Sequence, residues 1–473
     1  MAEYFISGFN IILPVLSREL DIPAASQTWP SSVFSLVTGA LLLPVGRLAD
    51  IYGGRPVFVI GLVWFLVWSL IGAFSQNYVM LIVCRAIQGL GPAGFLPAGI
   101  GLLGRIYRPG PRKNLIFSLY GACAPIGFFG GIFFAGLSGQ YISWRWYFWI
   151  GTILLGLVLA AAWWTVPHDH NPSSNVKMDW WGTLTIVPGL LLTVFAITDA
   201  GHAPNGWATS YITATIIIGG LLLLCAVYVE GWVADAPLLP FDLFRIKNMV
   251  PLVTSLFFTY GVFGIYLLYA SFYIENVLGA SALQTTAWFA PMAAGGLILA
   301  TVGGLVLHLL PGTAMLIISS CGFLVSTLLF AFMPDSPNYW AWIFPAMIGA
   351  TVAGDITYSV SNIFITTSVS KDRQGLAGAL INSLLFLGIS FFLGFADFAV
   401  ASTADQGMKK SYKVAFWFAA GCSGLAFVLV AGFVRIGKAK SDLTFEERIE
   451  LESELAADVR REQMTGTSRG SDG

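Results

Sequence analysis

The chain has 473 residues, of which 56% are hydrophobic and only 10% charged, with a formal net charge of −1. Soluble proteins carry roughly 25% charged residues, so this chain cannot cover its own surface with polar groups in water, and a soluble globular domain is excluded. The balanced charge, with no basic patch interleaved with stacking aromatics, argues against a nucleic-acid partner. The five cysteines (Cys84, Cys123, Cys225, Cys321 and Cys422) lie inside apolar runs, which argues against a disulfide framework or zinc site.

An apolar run of about 17 to 20 residues with almost no charge reads as a membrane-spanning helix. Fourteen such runs occur, near 3–18, 30–46, 57–75, 78–103, 114–137, 147–166, 181–199, 208–229, 249–274, 284–307, 312–333, 339–364, 375–398 and 414–435. The expected class is therefore an all-α integral membrane protein, its short connections making successive spans antiparallel neighbours. The first run continues through Pro14 without a small-residue cleavage site, so no cleavable signal peptide is expected. It begins almost at Met1, where a short polar lead is the expectation for a complete first span. With the N-terminus inside, the inner loops and the start of the tail collect fourteen Lys and Arg, from Arg47 to Lys440. The outer loops collect five, namely Arg18, Arg145, Lys409, Lys410 and Lys413. That bias puts both termini in the cytoplasm.

Between the second and third runs lies Gly46-Arg47-Leu48-Ala49-Asp50-Ile51-Tyr52-Gly53-Gly54-Arg55. Its glycines permit a tight turn, and its plainer reading is a polar loop whose arginines fix topology. In the fourth run, Arg85 sits about two turns inside, where a charge costs roughly 2.5–3.5 kcal/mol at the helix centre. It should therefore face a cavity or an acceptor; the alternative is snorkelling to the outer surface. Gln88 follows one turn on, on nearly the same face. Gly89-Leu90-Gly91-Pro92-Ala93-Gly94 spells a dinucleotide fingerprint, but no strand precedes it, and close helix packing is the better reading. In the fifth run, Gly121, Pro125, Gly127, Gly130 and Gly131 read as a hinge, or else as tight packing.

His168 and His170 flank Asp169 in a loop that carries no convincing metal site. Asp355, sixteen residues past Tyr339 and so about 24 Å along its helix, is read as the deepest acid in any span, with Arg85 the cation that would oppose it. Asp199, Glu230, Glu275 and Asp397 lie near span ends and are read as interfacial. Gly432-Phe433-Val434-Arg435-Ile436-Gly437-Lys438 resembles a P-loop, but Ala439 stands where a Ser or Thr would bind magnesium. No ATPase is visible and no cofactor or metal is expected. In the tail, Thr444 and Glu447 read as a capping box that opens a short surface helix.

The halves repeat. At an offset of 261, Tyr78 falls on Tyr339, Arg112 on Arg373, Leu115 on Leu376 and Gly127 on Gly388. With three extra residues near Asp335, Gly46 falls on Gly304 and Gly54 on Gly312. Parallel repeats of six spans around a site at mid-membrane are a transporter architecture. The expected division is a first bundle at 1–166, an additional pair at 167–235, a second bundle at 236–435 and a tail at 436–473.

These residues resemble the major facilitator superfamily, in its fourteen-span drug:proton antiporter branch and most closely its fungal members. Gly46, Leu48, Ala49, Asp50, Gly53 and Arg55 match the family's loop motif, while Ile51 and Gly54 stand where basic residues are usual. Leu81, Arg85, Gln88, Gly89, Gly91 and Ala93 match the fourth-span motif, whose arginine the resemblance implicates in proton coupling. The fifth-span motif is matched at Pro125, with Ala124 in place of a glycine and the Gly pair two residues late. Asp179-Trp180-Trp181-Gly182 and Pro237-Leu238-Leu239-Pro240 resemble the flanks of this branch's extra pair. Relatives often carry a first-span aspartate nine residues before the Leu-Pro proline; here Phe5 holds that place, and His308 holds the place corresponding to Asp50.

The resemblance implies a monomeric, proton-coupled efflux carrier for drugs, xenobiotics or a fungal secondary metabolite, sited in the cell membrane or the vacuolar membrane. Its partners are a small-molecule substrate, protons and the lipid bilayer, and its two bundles rock around a central cavity. The alternative in the same fold is a carrier of a small inorganic solute such as ammonium or borate. A sensor with a transporter's body would need a longer cytoplasmic domain than this tail. An enzyme would need a nucleophile–base or metal constellation that the sequence lacks.

Overall fold

A computed structural model describes residues 1–106, 111–167, 177–306, 310–369 and 373–438. The loop with His168, Asp169 and His170, residues Arg108, His308 and Lys371, and the Thr444–Glu447 box lie outside them. The described residues are helical almost throughout. The first group comprises α1 (Ala2–Glu19), α2 (Trp29–Tyr52), α3 (Gly54–Ala73), α4 (Tyr78–Gln88), α5 (Leu90–Ile106), α6 (Pro111–Tyr141) and α7 (Trp144–Thr165). A pair follows, α8 (Trp180–Ala200) and α9 (Ser210–Tyr228). The last group comprises α10 (Met249–Phe272), α11 (Ala282–Val306), α12 (Gly312–Ala331), α13 (Phe344–Thr367), α14 (Gln374–Ala401) and α15 (Met408–Phe433).

Helices α4 and α5 form one unit broken at Gly89, because Pro92 has no N–H to give the Gln88 carbonyl. Counting them together yields fourteen helical units. Among the described residues, twelve are long and apolar enough to cross a membrane; α1, with Glu3, Arg18 and Glu19, and α11 fall outside that set. The helix starts respect the internal repeat, with Gly54 opening α3 and Gly312 opening α12. Exposed Ile60, Trp64, Ile153, Leu157, Leu221 and Leu224 form an apolar outer surface of the kind that faces lipid.

The two groups meet along α2 against α14 and α6 against α11, with α1 beside α10. Small residues allow that approach. A Cβ at Gly39 would stand 2.9 Å from the Leu387 nitrogen, and one at Gly378 would stand 2.9 Å from Ile100 Cδ1. The extra pair attaches through α8, which packs on both α14 and α2 and so covers the seam between the groups, while α9 packs chiefly on α8. The end of the bundle with the α1–α2 connection is called here the Asp21 end, and that with the α2–α3 junction the Arg55 end.

One sequence reading is corrected by the fold, and two others gain detail. The Gly46–Arg55 stretch is not a loop: α2 runs on to Tyr52 and α3 begins at Gly54, so each keeps its backbone bonds, and Gly53 alone, at φ +98°, reverses the chain. Glu230, Glu275 and Asp397, read as lying near span ends, are covered by protein there, at 7%, 5% and 5% exposed. The P-loop-like run is not a phosphate cradle, because residues 434–438 leave the helix and the Ile436 and Gly437 carbonyls cap the start of α12 through Thr313 and Gly312 N–H. The close-packing reading of the fourth run agrees with the geometry: a Cβ at Gly91 would meet Phe65 Cβ at 2.6 Å, and one at Gly89 the Phe34 carbonyl at 2.8 Å.

Candidate functional site

Arg85 is 1% exposed, so it does not snorkel. Its guanidinium donates to the Phe5 carbonyl (3.2 Å), the Pro30 carbonyl (3.1 Å) and Gln88 Oε1 (2.7 Å). It also lies over the Phe9 and Phe34 rings, 4.0 and 4.2 Å from their centroids. Gln88 hands the chain on by donating to Ser69 Oγ at 2.6 Å, and Ser69 donates to the Phe65 carbonyl. The sequence spacing that puts Arg85 and Gln88 on one face is what lets a single network hold both. These acceptors are all neutral and all belong to the first helical group. The cation is thus held by dipoles and rings rather than by a counter-charge.

A small enclosed pocket lies beside this network, lined from both groups: Asn10, Ser35 and Arg85 on one side, and Gly264, Ile389 and Leu393 on the other. Arg85 therefore faces the seam at which the two groups meet.

Asp355 is not near Arg85. It lies half-buried on α13, where a Cβ at Gly296 would stand 3.0 Å from its Oδ2 and 3.5 Å from Pro125 Cβ. The carboxylate thus faces Gly296 of α11, which in turn lies close to the fifth-run proline of α6. The group in electrostatic reach of it is Glu3, with Tyr120 and Tyr358 in the same neighbourhood. Glu3 is half-buried on α1, with its Cβ facing Gly127. Among the described residues neither carboxylate is paired with a side-chain cation. The pairing of Arg85 with Asp355 is therefore corrected, and so is the reading of Asp355 as the only deep acid. Glu3 carries no local signal of burial, since it stands at the very start of its apolar run, and the family's acidic position falls on Phe5. Two residues apart on a helix is about 200° of rotation, so Phe5 turns into the first group's aromatic core and Glu3 toward the seam.

The candidate hinge glycines separate by geometry. A Cβ at Gly131 would stand 2.6 Å from Ser7 Oγ and 2.9 Å from Tyr4 Cα, closer still to the Tyr4 carbonyl oxygen. At Gly121 nothing lies within 4 Å, and at Gly130 only Tyr4 Cδ2 does, at 4.0 Å. Gly131 is therefore a packing glycine, while Gly121 and Gly130 have no packing reason to be glycine. In the α2–α3 motif, Gly46 lies close to Pro97, Arg55 donates to the Trp163 carbonyl at 3.1 Å, and Asp50 occupies the last turn of α2. Arg47, beside them, donates to the Ala236 carbonyl at 3.1 Å, tying α2 to the segment that follows the extra pair.

Residues 1–394 match the profile of the Major Facilitator Superfamily. The chain belongs to that superfamily. Among relatives of this major facilitator protein, the "Low affinity ammonium transporter" of Saccharomyces cerevisiae is 34% identical over 421 residues, covering 87% of this chain and 81% of the relative. The "Efflux pump terJ" of Aspergillus terreus is 31% identical over 434 residues, covering 89% and 83%. The fold is shared with the crystal structure of an auto-inhibited POT family peptide transporter, at a TM-score of 0.65 and 16% identity over 93% of this chain and 97% of that one. This major facilitator protein is thus a multi-pass membrane transporter of small molecules and not an enzyme.

Proposed function

We propose that this transporter is a proton-coupled exporter of small organic molecules, spanning the membrane fourteen times with both termini and the Arg55 end in the cytoplasm. Residues 1–166 rock against 249–435 around the seam lined by Arg85. The observation that carries the reading is the pair Glu3 and Asp355: two carboxylates, one from each helical group, half-buried at the seam with no side-chain cation paired to either among the described residues, the Met1 ammonium being the cation in electrostatic reach of Glu3. Two like charges that approach one another favour holding one proton between them, and a pair split between moving halves changes its proton affinity as the halves move. The kinship with an efflux pump supports the direction of transport.

In proteoliposomes with an imposed pH gradient, wild-type protein should accumulate substrate, and Asp355→Asn should bind substrate but lose the response to the gradient. Asp355→Glu should retain part of it. Gradient-driven accumulation by both Asp355→Asn and Glu3→Gln would overturn the coupling.

A second reading is favoured by the same pair. Two acids without a side-chain cation among the described residues, in the neighbourhood of Tyr120 and Tyr358, also suit a small cation, and one relative is described as a low affinity ammonium transporter. Uptake of labelled methylammonium that is saturable, and lost in both carboxylate variants, would favour this reading over drug export.

A further inference from the structure

Asp397 sits one turn from the end of α14, 5% exposed, and takes hydrogen bonds from three separate parts of the molecule. Thr28, at the start of α2 in the first group, donates to its Oδ1 at 2.6 Å. Tyr269, on α10 of the second group, reaches the same oxygen at 3.4 Å. His202, in the connection between the two extra helices, meets Oδ2 at 2.9 Å. Thr28 stands at the N-cap of α2, yet its side chain makes no capping bond to that helix. A threonine there ordinarily accepts an N–H of the first turn; this one has turned to the carboxylate instead. The α2 helix gives up its own cap to hold α14.

We infer that Asp397 is the clasp of the gate at the Asp21 end: it locks the first group to the second and makes the extra helix pair, through His202, a working part of that gate. The inference rests on the alternating-access reading. When a carrier of this kind opens at the Asp21 end, α2 and α14 must part there, and Thr28 and His202 cannot both follow Asp397. A second contact between the groups lies at the same end, where Arg18 of α1 meets Glu275 and Asn276 beyond α10 at 3.4 Å. Arg18 is largely exposed, so solvent screens it; Asp397 is buried and its bonds are not.

The clasp carries a pH dependence with a definite sign. The hydrogen bond to Asp397 raises the His202 pKa above its ordinary value, against the opposing cost of burial. The His202 contribution is therefore present at lower pH and lost as pH rises through that raised value. Other ionisable groups facing the cluster are Asp199 on α8, bonded by Tyr211, with Tyr269 on α10 and Tyr412 on α15. Asp199 favours charged His202.

The test places a single cysteine at Ser35, which lines the enclosed pocket between the groups, in a background with the five native cysteines replaced. Labelling by a membrane-impermeant maleimide is followed in full-length protein in nanodiscs, without substrate. Thr28→Val and Asp397→Asn should each speed labelling roughly tenfold or more, the equivalent of about 1.4 kcal/mol in the opening equilibrium. Because the thiolate fraction of the probe itself rises with pH, each rate is divided by that of the Asp397→Asn protein at the same pH; with the clasp intact this quotient should rise from about pH 6 to 9, and His202→Gln should flatten it. Unchanged labelling in both Thr28→Val and Asp397→Asn, with a wild-type elution profile, would overturn the clasp, as would a pH dependence of the quotient that survives His202→Gln. The readout needs no transport: a protein that carries nothing yet shows these rates would keep the clasp and refute the transporter reading, whereas normal transport with unchanged rates refutes the clasp alone.

Discussion

Gly131 offers the sharpest check on how α1 and α6 are packed. A methyl group there meets backbone, the Tyr4 Cα at 2.9 Å and the Tyr4 carbonyl closer still, together with Ser7 Oγ at 2.6 Å. Backbone cannot escape by changing rotamer, and Ser7 is already committed, donating to the Phe128 carbonyl on α6 at 2.8 Å. The helices must move apart, and that loosens the stacked pair Tyr4 and Tyr147, each of whose hydroxyls bonds the other's carbonyl. Overpacking of this kind costs about 1–3 kcal/mol, and a backbone neighbour puts it at the upper end. Replacing glycine by alanine inside a helix returns about 1 kcal/mol. Gly131→Ala should therefore lose about 2 kcal/mol net. Gly121→Ala, where nothing lies within 4 Å, should gain about 1 kcal/mol from helix propensity alone. Thermal unfolding of the purified variants in one detergent compares them directly. A Gly131→Ala protein as stable as wild type, or a Gly121→Ala protein less stable than Gly131→Ala, would refute the packing argument. If Gly121 serves as a hinge, its variant should also transport more slowly despite its greater stability.

Three further outcomes are expected. Arg85→Lys keeps the charge but cannot fork to the Phe5, Pro30 and Gln88 acceptors at once; it should lose about 2 kcal/mol or more of stability and all gradient-driven transport, and wild-type transport by Arg85→Gln would return Arg85 to a structural role. Gly53→Ala should cost about 1–3 kcal/mol, since φ is +98° there; a variant with an unchanged unfolding midpoint would contradict the one-residue junction between α2 and α3. Single cysteines at Tyr52 and at Lys409, on opposite ends of the bundle, should be labelled from the cytoplasm and from outside respectively; labelling of both from one face would overturn the topology.

Run length and charge are local properties, and they were enough for the membrane class and the helical units. The membrane permits few solutions other than a helix wherever about 20 apolar residues follow one another. The break at Gly89 is also legible, because Pro92 removes a bond within its own helix. Arg85 and Gln88 were readable for the same reason, as their spacing fixes a shared face. Tertiary structure alone decided what those faces meet. Asp355 packs toward Gly296 with Glu3 rather than Arg85 in electrostatic reach, and Thr28 reaches Asp397 across 369 positions of sequence, relations that no local pattern encodes. The glycines make the same point. Gly121 and Gly131 are indistinguishable as letters, yet a methyl group finds open space at one and a neighbouring backbone at the other. Burial of Asp397 likewise depended on where α8 came to rest over the seam of α2 and α14, because a span end is wet or dry according to its neighbours and not according to its own sequence.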